Sequence, residues 1–236
     1  MLTIDGLSSS EFIYSSNPGL SGLNQKDTVM LLKRITGWLT ASIIGFASML
    51  AQAQSSKAPD VLIKEVSTDV LDAVKADKSI KQGDVLKVIA LVDAKVMPVV
   101  NFQRMTSSAV GRYWRQATPE QQKRLQEEFK TLLVRTYSGA LAQVQDQTVD
   151  IKPIRGGIDK EVVVKTEIRG RGDPVQLDYR LEKDGDSWKI FDVNILGVWL
   201  VENYRNSFAQ EISANGIDGL IGKLVERNTR VGAGKS

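Results

Sequence analysis

The side chains behind most protein acid–base, nucleophilic and metal chemistry are missing here: among 236 residues there is no histidine and no cysteine. That removes Ser-His-Asp triads, thiol nucleophiles, disulfides and metal sites built on imidazole or thiolate. Carboxylate, lysine and tyrosine chemistry remain. Asp192 is the strongest candidate, because it sits in the apolar run Trp188-Lys189-Ile190-Phe191-Asp192-Val193. A buried aspartate can act as a general base once its surroundings raise its pKa, and Tyr179 is a second polar group for such a site. The ordinary role for Asp192 weighs more heavily: a partner for Arg112, Arg115 or Arg205, or an acceptor for backbone N–H groups. Trp114-Arg115 and Arg124 can bind phosphate, although arginines beside a tryptophan on a helix more often serve packing and solvation. Gly232-Ala233-Gly234-Lys235-Ser236 mimics the end of a phosphate-binding loop, but Thr229 stands where its first glycine belongs. Arg171-Gly172-Asp173 reads as turn chemistry between two strands.

Charge excludes a further class. The formal net charge of +3 is too small and too scattered for nucleic-acid binding, and suits only weak attraction to acidic surfaces. Near the start, Lys33-Arg34 precede an apolar run from Ile35 to Leu50, followed by Ala51-Gln52-Ala53. This pattern is expected to be a secretory signal peptide over 30–53, cleaved after Ala53, with an uncleaved anchor as the alternative. The run is shorter than the roughly 20 residues a spanning helix needs. Residues 1–29 show no period and are expected to be disordered or to reflect a misassigned start, with Met30 as the natural beginning. The mature chain, 54–236, is then a single domain of roughly 183 residues, long enough to bury a core without staples. Without a cysteine for a lipid anchor it is expected to be soluble and to work outside the cytoplasm.

The elements follow from periodicity. Leu62, Val66, Val70, Ala73 and Val74 predict a helix. Lys81-Gln82-Gly83 reads as a turn, and Asp84 caps a helix striped by Val85, Val88, Ile89, Val92 and Val96 that Pro98 should end or kink. A shorter helical piece carries Phe102, Met105, Ala109 and Tyr113. Thr118-Pro119-Glu120-Gln121 fits a capping box and opens a long helix, roughly 119–145, striped by Leu125, Phe129, Leu132, Leu133, Tyr137, Ala140, Leu141 and Val144. The period then changes to two. Strands are predicted over 149–154, 162–168, 175–181 and 188–195, as an antiparallel meander whose third strand turns Val175, Leu177, Tyr179 and Leu181 inward and Gln176, Asp178, Arg180 and Glu182 to water. Two helices follow, parted by Asn215-Gly216. The fold class is α+β, helices packed on one face of a curved antiparallel sheet of about four to five strands.

Three blocks, in order and with matching spacing, are similar to those of the MlaC family, also called toluene-tolerance auxiliary proteins. The first is Val110-Gly111-Arg112-Tyr113-Trp114-Arg115, Thr118-Pro119-Glu120-Gln121 and Phe129 to Tyr137. The second is Asp178-Tyr179-Arg180-Leu181, Trp188 to Val193, and Asn203-Tyr204-Arg205-Asn206-Ser207-Phe208. The third is Gly216-Ile217-Asp218-Gly219-Leu220-Ile221. The resemblance covers nearly all of 60–228. Trp199 departs from it, standing where a small polar residue is expected. The resemblance implies an NTF2-like/MlaC-type sheet and helices enclosing an apolar cavity. It implies a periplasmic carrier of glycerophospholipid between an outer-membrane lipoprotein–porin complex and an inner-membrane MCE-domain ABC transporter, maintaining outer-membrane lipid asymmetry. It implies no enzyme activity, no cofactor, no metal and no nucleic acid.

For such a carrier the expected lipid-binding residues are Met97, Phe102, Met105, Tyr113, Leu133, Tyr137, Val164, Leu177, Tyr179, Trp199 and Tyr204, each of which can equally be plain core. Arg112, Arg115 and Arg205 are the expected headgroup neighbours. Two acyl chains in water would cost roughly 25 kcal/mol, so they must be enclosed. Enclosure calls for a cavity on the order of 1,000 Å3, and an apolar void of that size would cost ~20 kcal/mol. The protein must therefore shrink around the space or keep a lipid in it. The alternatives are an envelope adaptor without ligand, or a small α+β enzyme using Asp192.

Overall fold

The computed structural model describes residues 57–233. The expected signal peptide and upstream segment lie outside them. Among the described residues no helix is long and apolar enough to cross a membrane.

Helix α1 (Pro59–Ala76) is followed by the short α2 (Lys78–Lys81) and α3 (Val85–Leu91). The Asp84 carboxylate accepts from the Leu86 and Lys87 N–H groups, as a cap should. On α1 the buried line is Ile63, Ser67, Leu71 and Val74, one residue round from the predicted stripe, with Leu62, Val66 and Val70 half-buried beside it. The helix predicted to start at Asp84 does not run to Pro98 as a regular α-helix. After Leu91 the chain widens into a π-helical turn (Val92–Val96) and tightens into a 3-10 turn (Met97–Val99). Pro98 offers no N–H to the carbonyl four residues back, and its ring crowds that carbonyl, so the ladder must change pitch.

Helix α4 (Phe102–Val110) is capped by Asn101 and runs into a 3-10 turn (Gly111–Gln116). Helix α5 (Pro119–Ala142) begins with the complete capping box: Thr118 and Gln121 each satisfy the other's backbone N–H. Its Leu125, Phe129 and Leu132 are almost wholly buried, whereas Ala140 is exposed. The last element, α6 (Leu200–Ala233), breaks at Gly216, whose φ of 74° and ψ of −177° are tolerated by glycine rather than being the left-handed cap expected there.

The sheet is an open antiparallel meander ordered β1-β2-β3-β4-β5: β1 (Thr148–Ile151), β2 (Glu161–Arg169), β3 (Val175–Asp184), β4 (Ser187–Ile195) and the two-residue β5 (Val198–Trp199). β1 stops short of the predicted 154 because Pro153 cannot donate to the ladder. Register slips between β3 and β4: Arg180 faces Asp192, but Leu181 faces Ile190, leaving Phe191 as the extra residue of a bulge. That extra residue changes which side chains point inward. Trp188 and Ile190 face the core before it, and Val193 and Ile195 after it. Asp192 and Asn194 fall on the opposite face.

Three apolar groups make the core. Ile63 of α1 packs on Val162, Val164, Tyr179, Leu181, Trp188 and Ile190 of the sheet. Helices α4, α5 and α6 meet around Phe129, whose ring lies edge-on to Tyr204 at 5.0 Å and to Phe208 at 5.2 Å. Leu71, Val74, Ile80, Val88, Val134 and Val144 join α1, α2, α3 and α5.

Candidate functional site

The outer face of the sheet answers the question of acid–base chemistry. The Asp192 side chain is 1% exposed. Its Oδ1 accepts from the Val193 N–H at 2.9 Å and the Val201 N–H at 3.1 Å, and its Oδ2 accepts from Arg180 at 3.1 Å. Burial raises its pKa, and the two N–H bonds and the guanidinium hold the rise back. The carboxylate is thus committed to tying β3 and the start of α6 to β4. Its arginine is Arg180, not Arg112, Arg115 or Arg205. The Arg180 guanidinium also reaches Glu202 at 3.2 Å and lies 3.8 Å over the Trp199 ring. Asp178, expected in water, is buried on this face: it accepts from the Thr166 N–H at 3.3 Å and from Gln176 at 2.7 Å. Among the described residues no acidic cluster is placed to hold a metal ion.

The inner side holds a cavity. Its volume is about 190 Å3, and its walls are Val88, Val92, Val96, Met97 and Val100 on one side, Phe102 and Met105 of α4, Lys130, Leu133, Val134, Tyr137, Ser138 and Leu141 of α5, with Val193 and Leu200 at the back. The wall surface is almost entirely carbon. Tyr137 contributes a phenol whose pKa is raised by burial, so it stays neutral. Two methionines and an irregular backbone line this space, side chains and turns that repack easily. A larger depression of about 440 Å3 lies between α1 and β1, but it is open to water and edged by Asp60, Lys64, Asp150 and Lys152, which unsuits it for hydrocarbon.

The cavity is smaller than the order of 1,000 Å3 that two acyl chains call for. The irregular turn 92–96 packs against α1 and is tied to α5 by the Asp93–Lys130 ion pair, and the side chains of the two clusters occupy the rest of the interior. The volume is comparable to small apolar cavities that admit a benzene-sized guest, of about 150 Å3. A space of that size has room for part of one chain as it stands, and for more only if its walls part.

Of the side chains proposed from sequence, Met97, Phe102, Met105, Leu133 and Tyr137 meet at this cavity. Tyr113 and Tyr204 lie in the adjoining helical cluster. Val164, Leu177 and Tyr179 lie in the sheet cluster, the Tyr179 hydroxyl next to Ser67 and Thr166. Trp199 is on the other face, under Arg180. None of Arg112, Arg115 and Arg205 lines the cavity: Arg112 donates to the Tyr113 hydroxyl at 3.1 Å, and Arg205 to the Ser108 carbonyl at 3.1 Å. Among the described residues the charged side chain on the cavity wall is Lys130, which the sequence reading did not single out. Val88, Val92 and Val96 were visible in sequence as a helix stripe, but nothing marked that stripe as cavity wall.

Comparison with known proteins agrees with this architecture. The family model described as MlaC protein matches residues 64–226. Among curated proteins, the toluene tolerance protein ttg2D of Pseudomonas putida is 27% identical over 180 residues, covering 73% of this chain and 84% of its own. The intermembrane phospholipid transport system binding protein MlaC of Haemophilus influenzae is 23% identical over 202 residues, covering 83% and 94%. A phospholipid-binding protein from Ralstonia solanacearum, solved at 1.53 Å in complex with a phospholipid, superposes with a TM-score of 0.72 at 46% identity, covering 75% of this chain and 99% of that one. With a matched span running from α1 into the second half of α6, this chain belongs to the MlaC protein family.

Proposed function

We propose that this protein is a periplasmic phospholipid carrier. It encloses acyl chains in the cavity between α5 and the 92–99 wall, and shuttles lipid between an outer-membrane lipoprotein–porin complex and an inner-membrane MCE-domain ABC transporter, serving outer-membrane lipid asymmetry. The observation that carries the reading is the carbon-lined cavity itself. Its chemistry is solvent for hydrocarbon: the polar side chains on its wall are Lys130, paired with Asp93, Ser138, whose hydroxyl donates to the Arg135 carbonyl, and the neutral Tyr137; no carboxylate or metal cluster lines it among the described residues, and the buried Asp192 is bonded on the far side of the sheet. The carrier needs no cofactor, and its cargo is the glycerophospholipid. Export and cleavage near Ala53 would deliver the chain to that compartment.

Loading enlarges the space. Val100 and Val193 line the cavity and also pack against both the helical and the sheet clusters. Parting at these two residues extends the cavity over the inner sheet face toward Leu177, Tyr179 and Val164, which brings the sheet residues into contact with acyl chain. The test is extraction. The mature chain is incubated with vesicles of phosphatidylethanolamine and phosphatidylglycerol, separated by flotation, and assayed for lipid phosphorus. Near-stoichiometric phosphorus with the protein supports the carrier; phosphorus that stays wholly with the vesicles refutes it.

A further inference from the structure

The cavity has one polar landmark. Lys130 leaves α5 among apolar neighbours on the wall, and its Nζ donates to Asp93 Oδ1 at 2.7 Å across the cavity rim. Asp93 belongs to the π-helical turn, so this ion pair fastens the irregular wall to α5. A second pair, Lys95 with Asp69 at 3.4 Å, fastens the same turn to α1. The Lys130 side chain is 26% exposed and that of Asp93 is 46% exposed. The pair therefore sits where the carbon lining meets water, and such a pair is worth little to stability. The turn lies outside the regular helical ladder; apolar contacts of Val92 and Met97 and the Lys189 bond to the Pro98 carbonyl at 2.6 Å also hold this wall, but the two weak ion pairs are the ties that an incoming charge can release.

We propose that Lys130 binds the phosphodiester of the cargo, and that Asp93 is the anion it exchanges for that phosphate, so that seating a headgroup unlatches the 92–99 wall. This rests on the carrier reading. A phosphate and the Asp93 carboxylate cannot share one ammonium without like-charge repulsion. The incoming phosphate displaces Asp93, the turn loses its tie to α5, and the apolar walls are free to part around the chains that follow. An ammonium on a flexible stem suits this exchange, since it reaches either anion without a fixed bidentate geometry. The device recognises the charge common to glycerophospholipids and leaves the rest of the headgroup unread.

The mature wild-type chain, Lys130→Gln, Lys130→Arg and Asp93→Asn are each exposed to vesicles holding phosphatidylglycerol and uncharged diacylglycerol in equal amounts, and both lipids are quantified on the recovered protein. Wild type takes phosphatidylglycerol in preference. Lys130→Gln loses about fivefold of that preference while still taking up chains, Lys130→Arg keeps it, and Asp93→Asn loads faster than wild type. Added inorganic phosphate at millimolar concentration leaves the preference in place. An unchanged ratio in Lys130→Gln, slower loading in Asp93→Asn, or loss of the preference to inorganic phosphate overturns the proposal while leaving the carrier standing. A wild-type chain that takes neither lipid overturns both.

Discussion

Replacing Leu133 by tryptophan separates a cavity kept for lipid from one that is a packing defect. Leu133 lines the space from α5 and is only half-buried by its own neighbours. A closed void of about 190 Å3 would cost at most about 5 kcal/mol at ~24 cal/mol per Å3. An indole in place of leucine fills only part of that space, so a gain of roughly 2 kcal/mol is set against roughly 1–3 kcal/mol of strain from overpacking. The lipid-free variant should therefore stay within about 1 kcal/mol of lipid-free wild type. The lipid-exposed comparison separates the two proteins. Wild type gains stability because the ligand binds only the folded state, and the variant gains nothing because the indole occupies the volume the chain needs. The assay is urea denaturation of both proteins, refolded without lipid and after exposure to vesicles, with bound phosphorus measured in parallel. A Leu133→Trp protein that carries wild-type amounts of lipid and is stabilised by it would refute the reasoning, because the chains would have to lodge elsewhere.

Gly219 leaves no room for a side chain: a Cβ there would stand 2.3 Å from the Asn215 Cβ. Gly219→Ala should cost upwards of about 2 kcal/mol in thermal or urea unfolding, and Asn215→Gly in the same chain should recover most of the loss. Tyr179 is buried, and desolvation pushes its pKa up to about 12 from the ordinary 10. Its contribution is therefore complete below pH 10 and is lost as pH rises through 12. The full loss, reached only above pH 12, amounts to about 3 kcal/mol, and the stability difference between wild type and Tyr179→Phe should shift by about 2 kcal/mol between pH 9.5 and 12 in urea titrations. Thr118→Ala removes half of the capping box at α5 and should lower stability by about 1 kcal/mol in urea denaturation, with lipid uptake unchanged.

The parts of the fold that depend on local chemistry were legible in the sequence. The capping box at Thr118 and the wide stripe after it define α5, Asp84 announces α3, and Asn215-Gly216 marks the break in α6. The strands follow from period two and glycine-rich turns. What was not legible depends on pairing across the sheet or on helix pitch. A bulge at Phe191 inserts a single residue with no composition of its own, yet it decides that Asp192 meets Arg180 and that Val193 faces inward. The burial of Asp178 depends on a Thr166 N–H from the neighbouring strand. Pro98 announced an interruption but not its form, and the π-helical turn it leaves is the wall of the cavity. Lys130 was invisible for a related reason: on a helix carrying many charges, only the fold shows which one meets the apolar rim.

The most direct measurement is native mass spectrometry of the exported chain, purified without detergent, followed by organic extraction of the same sample. The expected result is a polypeptide beginning near Gln54 that carries a non-covalent adduct of phospholipid mass, with the same lipid recovered in the extract. A bare polypeptide mass, with an extract free of phospholipid in preparation after preparation, would contradict it.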